Sequence, residues 1–252
     1  MTSVRHGQRG ASRAIADDLR SQIRSGQLRP GDALPTSRDL ATRYGVTDRT
    51  VSAAVDILKA EGLVIGEQGG RRRVRADRPI TWDLTKFESK ARRDSTTMDD
   101  WSTAIKEAGR DPAQIVTVTA EPADTAVAGW LQIQPGDEVI RRVRLRTVDG
   151  RPFQFSTSWF PARIAKDTAL MEERDLSIPG GLLRSVGHPQ HRIRDEITVR
   201  MPKPEESERL KLPPGTPVAQ HVRIGFGDDG PVRVMMTIAP GDRHVLVYEM
   251  DV

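Results

Sequence analysis

The stretch Leu28-Arg29-Pro30-Gly31-Asp32-Ala33-Leu34-Pro35-Thr36-Ser37-Arg38-Asp39-Leu40-Ala41 sets the architecture of the first third of the chain. Pro30-Gly31-Asp32 joins a fixed φ to a residue free to take positive φ, which predicts a turn. Thr36 with Asp39 three residues on has the spacing of a capping box, which opens a helix carrying Leu40 inward. Upstream, Ile15, Ala16, Leu19 and Ile23 recur at helical spacing, predicting a helix over 12–25 with Ser12 as N-cap and Gly26 as stop. Downstream, the second helix ends at Tyr44-Gly45, and Thr47 caps a third, with Asp48 in its first turn where the helix dipole favours an anion. Val51, Ala54, Val55 and Leu58 form its inner face, Arg49, Ser52, Ala53 and Asp56 its outer one, and Gly62-Leu63 closes it. Two short helices joined by a tight glycine-containing turn form a helix-turn-helix.

A hairpin follows. Leu63-Val64-Ile65 predicts a strand, Glu67-Gln68-Gly69-Gly70 a turn, and Arg71-Arg72-Arg73-Val74-Arg75 a returning strand whose period of two puts Arg71, Arg73 and Arg75 on one face. Such a basic wing suits a phosphate backbone or a minor groove; a solvated charge run is the bland alternative. Charge distribution favours the wing. Residues 1–80 hold fifteen basic and nine acidic side chains, a balance of +6, and the remainder balances at −2 within the overall +4. Tyr44 is the only aromatic residue before position 80, so the stacking platforms of single-strand binders are missing and a duplex is the expected polyanion.

The chain has 252 residues, room for one large domain or two smaller ones, and no cysteine, which excludes disulfide scaffolds, thiolate metal sites and thiol nucleophiles. No apolar run reaches the roughly 18 residues that span a bilayer. Met1 to Gly10 lacks the apolar centre of a signal peptide. A cytoplasmic protein that does not engage membranes is expected.

The quoted stretch, continued by Gly45-Val46-Thr47, Thr50-Val51 and Leu58-Lys59-Ala60-Glu61-Gly62-Leu63, resembles the winged-helix start of GntR-family repressors over nearly all of residues 12–75. The resemblance implies that Arg38 contacts phosphate or base, that the start of the third helix (Thr47, Arg49, Thr50, Ser52) enters a major groove, and that the wing (Gln68, Gly69, Gly70, Arg71, Arg73) approaches the minor groove. The pattern departs where the family usually carries arginine: Asp48 follows Val46-Thr47, and Ser52 follows Thr50-Val51. Arg49 is left as the long basic side chain able to read guanine in bidentate fashion, while Asp48 either accepts from cytosine or caps the helix.

Beyond a sparse polar stretch, strand patterns at 114–120, 138–147, 152–160, 191–200, 217–226, 231–239 and 244–250 alternate with helical ones near 97–108, 123–131, 162–172, 180–186 and 204–211. Strands in hairpin-like pairs predict an α+β class: an N-terminal winged helix-turn-helix joined to a mixed domain with an antiparallel sheet. An internal repeat runs through this half. Leu131-Gln132-Ile133-Gln134-Pro135-Gly136 with Val139, Val143, Arg144 and Leu145 recurs 79 positions later as Leu210-Lys211-Leu212-Pro213-Pro214-Gly215 with Val218, Val222, Arg223 and Ile224. Two such units predict a pseudo-symmetric sheet with a cleft between its halves.

Pro135-Gly136-Asp137, Arg144-x-Arg146, Asp149-Gly150-Arg151-Pro152 and Gly241-Asp242-Arg243, in this order behind a winged helix, resemble the UTRA effector domain of the HutC-type subfamily, with its chorismate-lyase-like fold. With the sparse polar stretch read from its composition as a linker over 77–96, the division is a winged helix-turn-helix over 1–76 and an effector-binding, dimerising domain over 97–252. In such domains the Arg-x-Arg pair, here Arg144 and Arg146, holds an anionic group; a carboxylate or phosphate suits paired guanidiniums. Ser156 and Ser158 lie on one face of the next strand, and Arg233, Val234, Met235 and Met236 replace residues typical of sugar-phosphate sensors, which suggests an apolar wall and a less polar ligand.

The expected protein is a homodimeric, ligand-responsive regulator of a palindromic duplex operator, more a repressor than an activator. It has no catalytic residue, metal or cofactor, since no Ser-His-Asp spacing, His-Glu-x-x-His or phosphate loop occurs. His188, His191 and Asp195 are only nominal metal ligands. The competing functions are a ligand-independent plasmid-maintenance or architectural DNA-binding protein, and a chorismate-lyase-like enzyme fused to a DNA-binding head.

Overall fold

A computed structural model of the chain describes residues 3–66, 71–75, 79–85, 100–176, 178 and 181–250, and divides it into two compact units, one built on Met1–Arg78 and one on Pro79–Leu212 with Pro217–Val252. The first holds helices α1 (Ser3–Arg24), α2 (Ser37–Tyr44) and α3 (Asp48–Ala60) and a minimal antiparallel pair, β1 (Val64–Ile65) and β2 (Arg73–Val74). The capping box forms as its spacing predicts: Asp39 N–H donates to Thr36 Oγ1 at 3.2 Å, and the Asp39 carboxylate accepts from Thr36 N–H at 3.2 Å. Gly45 ends α2 at φ 64°, the left-handed conformation that favours glycine. The helix expected from residue 12 begins nine residues earlier, so Ser12 lies buried inside α1 rather than at its cap. Once α1 is nucleated, each added residue gains one backbone bond, and no breaker intervenes upstream strong enough to stop it. Ile15, Leu19, Leu34, Leu40, Val51, Val55, Leu58, Val64 and Val74 close one core.

The second unit is organised by the repeat. Its sheet contains β4 (Pro112–Pro122), β5 (Glu138–Val148), β6 (Arg151–Pro161), β7 (Arg192–Arg200), β8 (Val218–Gly227) and β9 (Gly230–Pro240), all antiparallel, in the order β4-β5-β6-β9-β8-β7. Adding 79 to a residue of the first half gives its mate in the second: β6 maps onto β9, and helix α5 (Thr125–Leu131) onto α8 (Pro204–Leu210). The left-handed residues that end these helices, Gln132 and Lys211, are mates as well. The central pairing obeys the same rule, since Phe155↔Ile238 is the image of Trp159↔Val234 and Thr157↔Met236 maps onto itself. A pseudo-two-fold axis therefore passes through Thr157 and Met236. The halves join edge to edge in one sheet, so the cleft expected between them is not a seam; a candidate site has to lie on a sheet face.

The faces differ. On one, α5 packs Leu131 against Val139, Trp159 and Val234, and α8 packs Leu210 against the images of those three, Val218, Ile238 and Phe155. This face is dry and symmetric. The other is covered by elements outside the repeat. Ile80–Asp83, assigned by composition to a linker, is strand β3, paired in parallel with β10 (His244–Val247). Helix α4 (Asp100–Glu107), the short helix α6 (Ala162–Ala165), a single 3₁₀ turn at Ala169–Met171 and α7 (Leu182–Ser185) complete the cover, burying Trp82, Trp101, Ile105, Ile164, Leu170 and Leu183. The rest of the composition-derived linker lies mostly outside the described residues. No helix among the described residues is long and apolar enough to cross a membrane.

His244 anchors this cover. Its ring packs 4.5 Å from Phe153, its Nδ1 lies 2.9 Å from the Pro240 carbonyl, and its Nε2 lies 2.8 Å from the Gln154 amide. Burial, with Arg243 adding a smaller push, lowers its pKa to about 4. The unfolded chain therefore takes up a proton near pH 6.5 that the folded chain refuses until about pH 4, so stability falls as pH drops through that interval. We predict a loss of roughly 2–3 kcal/mol between pH 7 and pH 4.5 in denaturant titrations, and a flattened profile across that window for His244→Asn.

Candidate DNA-binding and effector sites

The head presents Arg38, Thr47, Asp48, Arg49, Ala53 and Asp56 exposed on α2 and α3. Thr47 caps α3, accepting from Thr50 N–H at 3.4 Å. Thr50, expected at the groove, is instead buried, with its hydroxyl 3.0 Å from that of Thr47. Ser52 is half-buried and accepts from Arg72 Nη2 at 3.4 Å, while Arg72 Nη1 donates to Ser37 Oγ at 3.0 Å. Arg72, which no pattern singled out, thus ties the wing to α2 and α3. Its strand parity, shared with the core residue Val74, was the available signal. Arg71 and Arg73 are exposed, with Arg73 Nη1 donating to the Gly31 carbonyl at 3.1 Å. Gln68, Gly69 and Gly70 lie outside the described residues.

In the second unit, the covered sheet face is polar. Cross-strand neighbours form two rows over β5, β6, β9 and β8: Arg144–Ser156–Thr237–His221, and Arg142–Ser158–Met235–Arg223. Arg144 Nη1 donates to Ser158 Oγ at 3.3 Å, so Arg144, Ser156 and Ser158 come together as the spacing predicts. Arg146 diverges: its Nε lies 3.4 Å from Gln114 Oε1 and its guanidinium stacks 4.8 Å from the Trp101 ring. Arg233 lies further along β9, opposite Gly225 and next to a register shift. Val234 and Met236 pack into the dry face, so the apolar wall expected from the Arg233–Met236 run does not form; strand parity leaves only Met235 of the three apolar residues on the polar face.

Two buried arginines were missed. Arg142, 1% exposed, donates to the carbonyls of Leu170, Glu172 and Arg174 at 2.6, 2.7 and 3.1 Å, which pins the covering segment; burial pushes its pKa down. Arg223, 2% exposed, donates to both oxygens of Asp195 at 2.7 Å and to the Leu84 carbonyl at 3.0 Å. His221 Nε2 lies 2.8 Å from the same Asp195, with the edge of Trp82 against its ring. Burial opposes ionisation of Asp195, but hydrogen bonds from Arg223 and His221 outweigh it and hold the carboxyl well below the usual range. The nominal metal set does not assemble, since His191 faces Asp228 at 3.3 Å instead. Among the described residues no group of three or more His, Asp or Glu side chains could hold a metal ion.

Residues 11–74 match the model of bacterial regulatory proteins of the gntR family, and residues 107–245, more than half the chain, match the UTRA domain. The chain belongs to the GntR-family regulators that carry a UTRA domain. It is 29% identical over 231 residues to the mannosyl-D-glycerate transport/metabolism system repressor MngR of Escherichia coli (strain K12), covering 90% of this chain and 89% of MngR. It is 25% identical over 237 residues to the HTH-type transcriptional regulator GgaR of the same organism, covering 93% and 89%. The crystal structure of PhnF from Mycobacterium smegmatis shares the fold, with a TM-score of 0.57 at 23% identity over 94% of this chain and 99% of PhnF. This GntR/UTRA regulator is a ligand-responsive DNA-binding protein of the α+β class, with a helix-turn-helix head and an antiparallel-sheet effector domain.

The Asp195–Arg223 pair makes a sharp prediction. Removing one partner strands a buried charge, at a cost of about 3–5 kcal/mol, whereas removing both relieves much of that loss. Denaturant unfolding should show Arg223→Met strongly destabilised and Arg223→Met/Asp195→Leu partly restored.

Proposed function

We propose that this regulator is a homodimeric repressor of a palindromic operator, and that a small anionic metabolite bound on the polar face of its UTRA sheet modulates DNA binding without being chemically altered. The observation that carries the effector class is charge. Among the described residues that face carries Arg142, Arg144, Arg146, Arg223 and, by strand parity, Arg233, while Asp195 on the sheet and Glu172 and Asp175 in the cover are the carboxylates near them, so positive groups predominate. Arg144, the cross-strand neighbour of Ser156 and a donor to Ser158, is the proposed anion anchor, with Arg146 and Arg233 at its margins.

Repression is supported by the name of MngR. The DNA contacts are proposed for Arg38, Thr47 and Arg49 on α2 and α3 and for the wing through Gln68, Gly69, Gly70, Arg71 and Arg73, with Thr50 and Ser52 supporting α3 from behind. The head then spans 1–76 and the effector domain follows a short connection, acting in the cytoplasm. Dimerisation is supported by the free edge of β7, where Ile193, Ile197, Val199 and Met201 are exposed in alternate positions.

In binding titrations on specific and random duplexes, Arg49→Ala should relax base preference, while Arg38→Ala or Arg71→Ala should weaken both with a salt slope shallower by about one. Equal loss on both duplexes for Arg49→Ala would remove its readout role. Arg144→Ala should leave operator affinity intact and abolish the response to a metabolite extract that releases DNA; an unfolded variant would make Arg144 structural.

A further inference from the structure

The polar face carries hydrogen-bonding atoms that the protein itself does not satisfy. Ser156, Gln154 and His221 are each fully buried, yet Ser156 Oγ, one branch of the Gln154 amide and His221 Nδ1 have no hydrogen-bond partner. Buried groups of this kind are costly, so these three, with the likewise unpartnered Nε of Arg142 on the same face, mark a place where something else completes them.

The sense of each group follows from its other contacts. His244 is neutral above pH 5 and carries one proton. The Pro240 carbonyl 2.9 Å from Nδ1 can only accept, so the proton sits on Nδ1 and Nε2 is a bare acceptor. With Gln154 Oε1 turned toward Nε2, an acceptor would face an acceptor at 2.8 Å; the amide NH₂ belongs in that position, and Oε1 takes the unpartnered branch. His221 donates Nε2–H to Asp195, which leaves Nδ1 as its open ring atom. The unmet demand of the face is therefore mixed: Gln154 Oε1 needs a donor, Arg142 Nε needs an acceptor, Ser156 works either way, and His221 Nδ1 is open as well. Hydroxyl groups donate and accept and so meet both senses, and an ammonium group is disfavoured beside Arg144, the cross-strand neighbour of Ser156.

Ser156 is the cross-strand neighbour of Arg144, Gln154 stands two residues along the same strand, and His221 lies two strands further across through Thr237. At about 4.8 Å per strand the row from Arg144 to His221 spans roughly 14 Å, the length of a small extended or ring-bearing molecule. We propose that the effector is a polyhydroxylated carboxylic acid, its carboxylate on Arg144 and its hydroxyls meeting Gln154, Ser156 and His221. This rests on the effector reading above and adds the hydroxyl requirement to it. It also reverses the expectation of a less polar ligand, because Met236 and Val234 face the other way.

The full-length protein can be tested by thermal shift with three probes of matched size: D-glucuronate, cyclohexanecarboxylate and D-glucose. D-glucuronate should raise Tm by several degrees and the other two much less, and Arg144→Ala should abolish the response. Ser156→Ala should weaken D-glucuronate binding about tenfold, the equivalent of one hydrogen bond. Without ligand it should keep or slightly raise Tm, because it deletes an unsatisfied group. Cyclohexanecarboxylate matching D-glucuronate would overturn the hydroxyl requirement while leaving the anion site standing. A shift from D-glucose alone would overturn the anchor on Arg144. No shift from either acid would overturn the proposed class, with the extract titration above deciding separately whether any effector binds. A ligand-free Tm loss of several degrees in Ser156→Ala would show that its hydroxyl is structural, filled by an ordered water only, and would also overturn the proposal.

Discussion

The pairing of β6 with β9 about Thr157 and Met236 is the constraint from which the effector domain follows. Because the halves meet edge to edge around a pseudo-two-fold axis, each must bring its own helix to the same face. The apolar sets under α5 and α8 are accordingly images of each other, residue for residue: Leu131, Val139, Trp159 and Val234 against Leu210, Val218, Ile238 and Phe155. That solution leaves the opposite face without a helix from the repeat. Elements from outside the repeat cover it, and side chains facing such a lid are free to be polar if their hydrogen bonds are met.

The two halves have used that freedom differently. Arg144 and Arg223 are mates 79 residues apart, but the mate of Asp195 is Val116. The second half therefore neutralises its guanidinium internally and ties it to Leu84, while the first half has no carboxylate at the corresponding position. Similarly, Arg142 holds the segment around Leu170, and its mate His221 holds Asp195 and meets Trp82. The contacts made by mated residues are thus unequal, an asymmetry laid over a symmetric frame.

Much of this was legible in the residues because it is local. Thr36 with Asp39, Thr47 before α3 and Gly45 at positive φ are decided within a few positions, and the repeat is visible because the same punctuation returns at a fixed interval. What escaped depends on contacts far apart in the chain. Ile80–Asp83 has no strong strand signature, and its partner His244–Val247 lies at the other end of the domain. Gln154 matters through His244, and Arg223 through Leu84 and Asp195, pairings that spacing cannot announce. The Arg233–Met236 run misled for a different reason: a strand shows alternate residues to opposite faces, so four consecutive residues cannot all line one wall.

We propose that the polar sheet face receives the signal that alters DNA binding. Side-chain ¹⁵N resonances of His221 and His244 report that face directly, since one imidazole belongs to its polar row and the other orients Gln154 beneath it. They can be followed while a metabolite fraction that releases the operator is titrated into the full-length protein. Both imidazoles should shift in step with release, with the His221 Nδ1 resonance moving as it gains a hydrogen-bond partner. Release of DNA with both imidazoles unmoved would contradict the proposal.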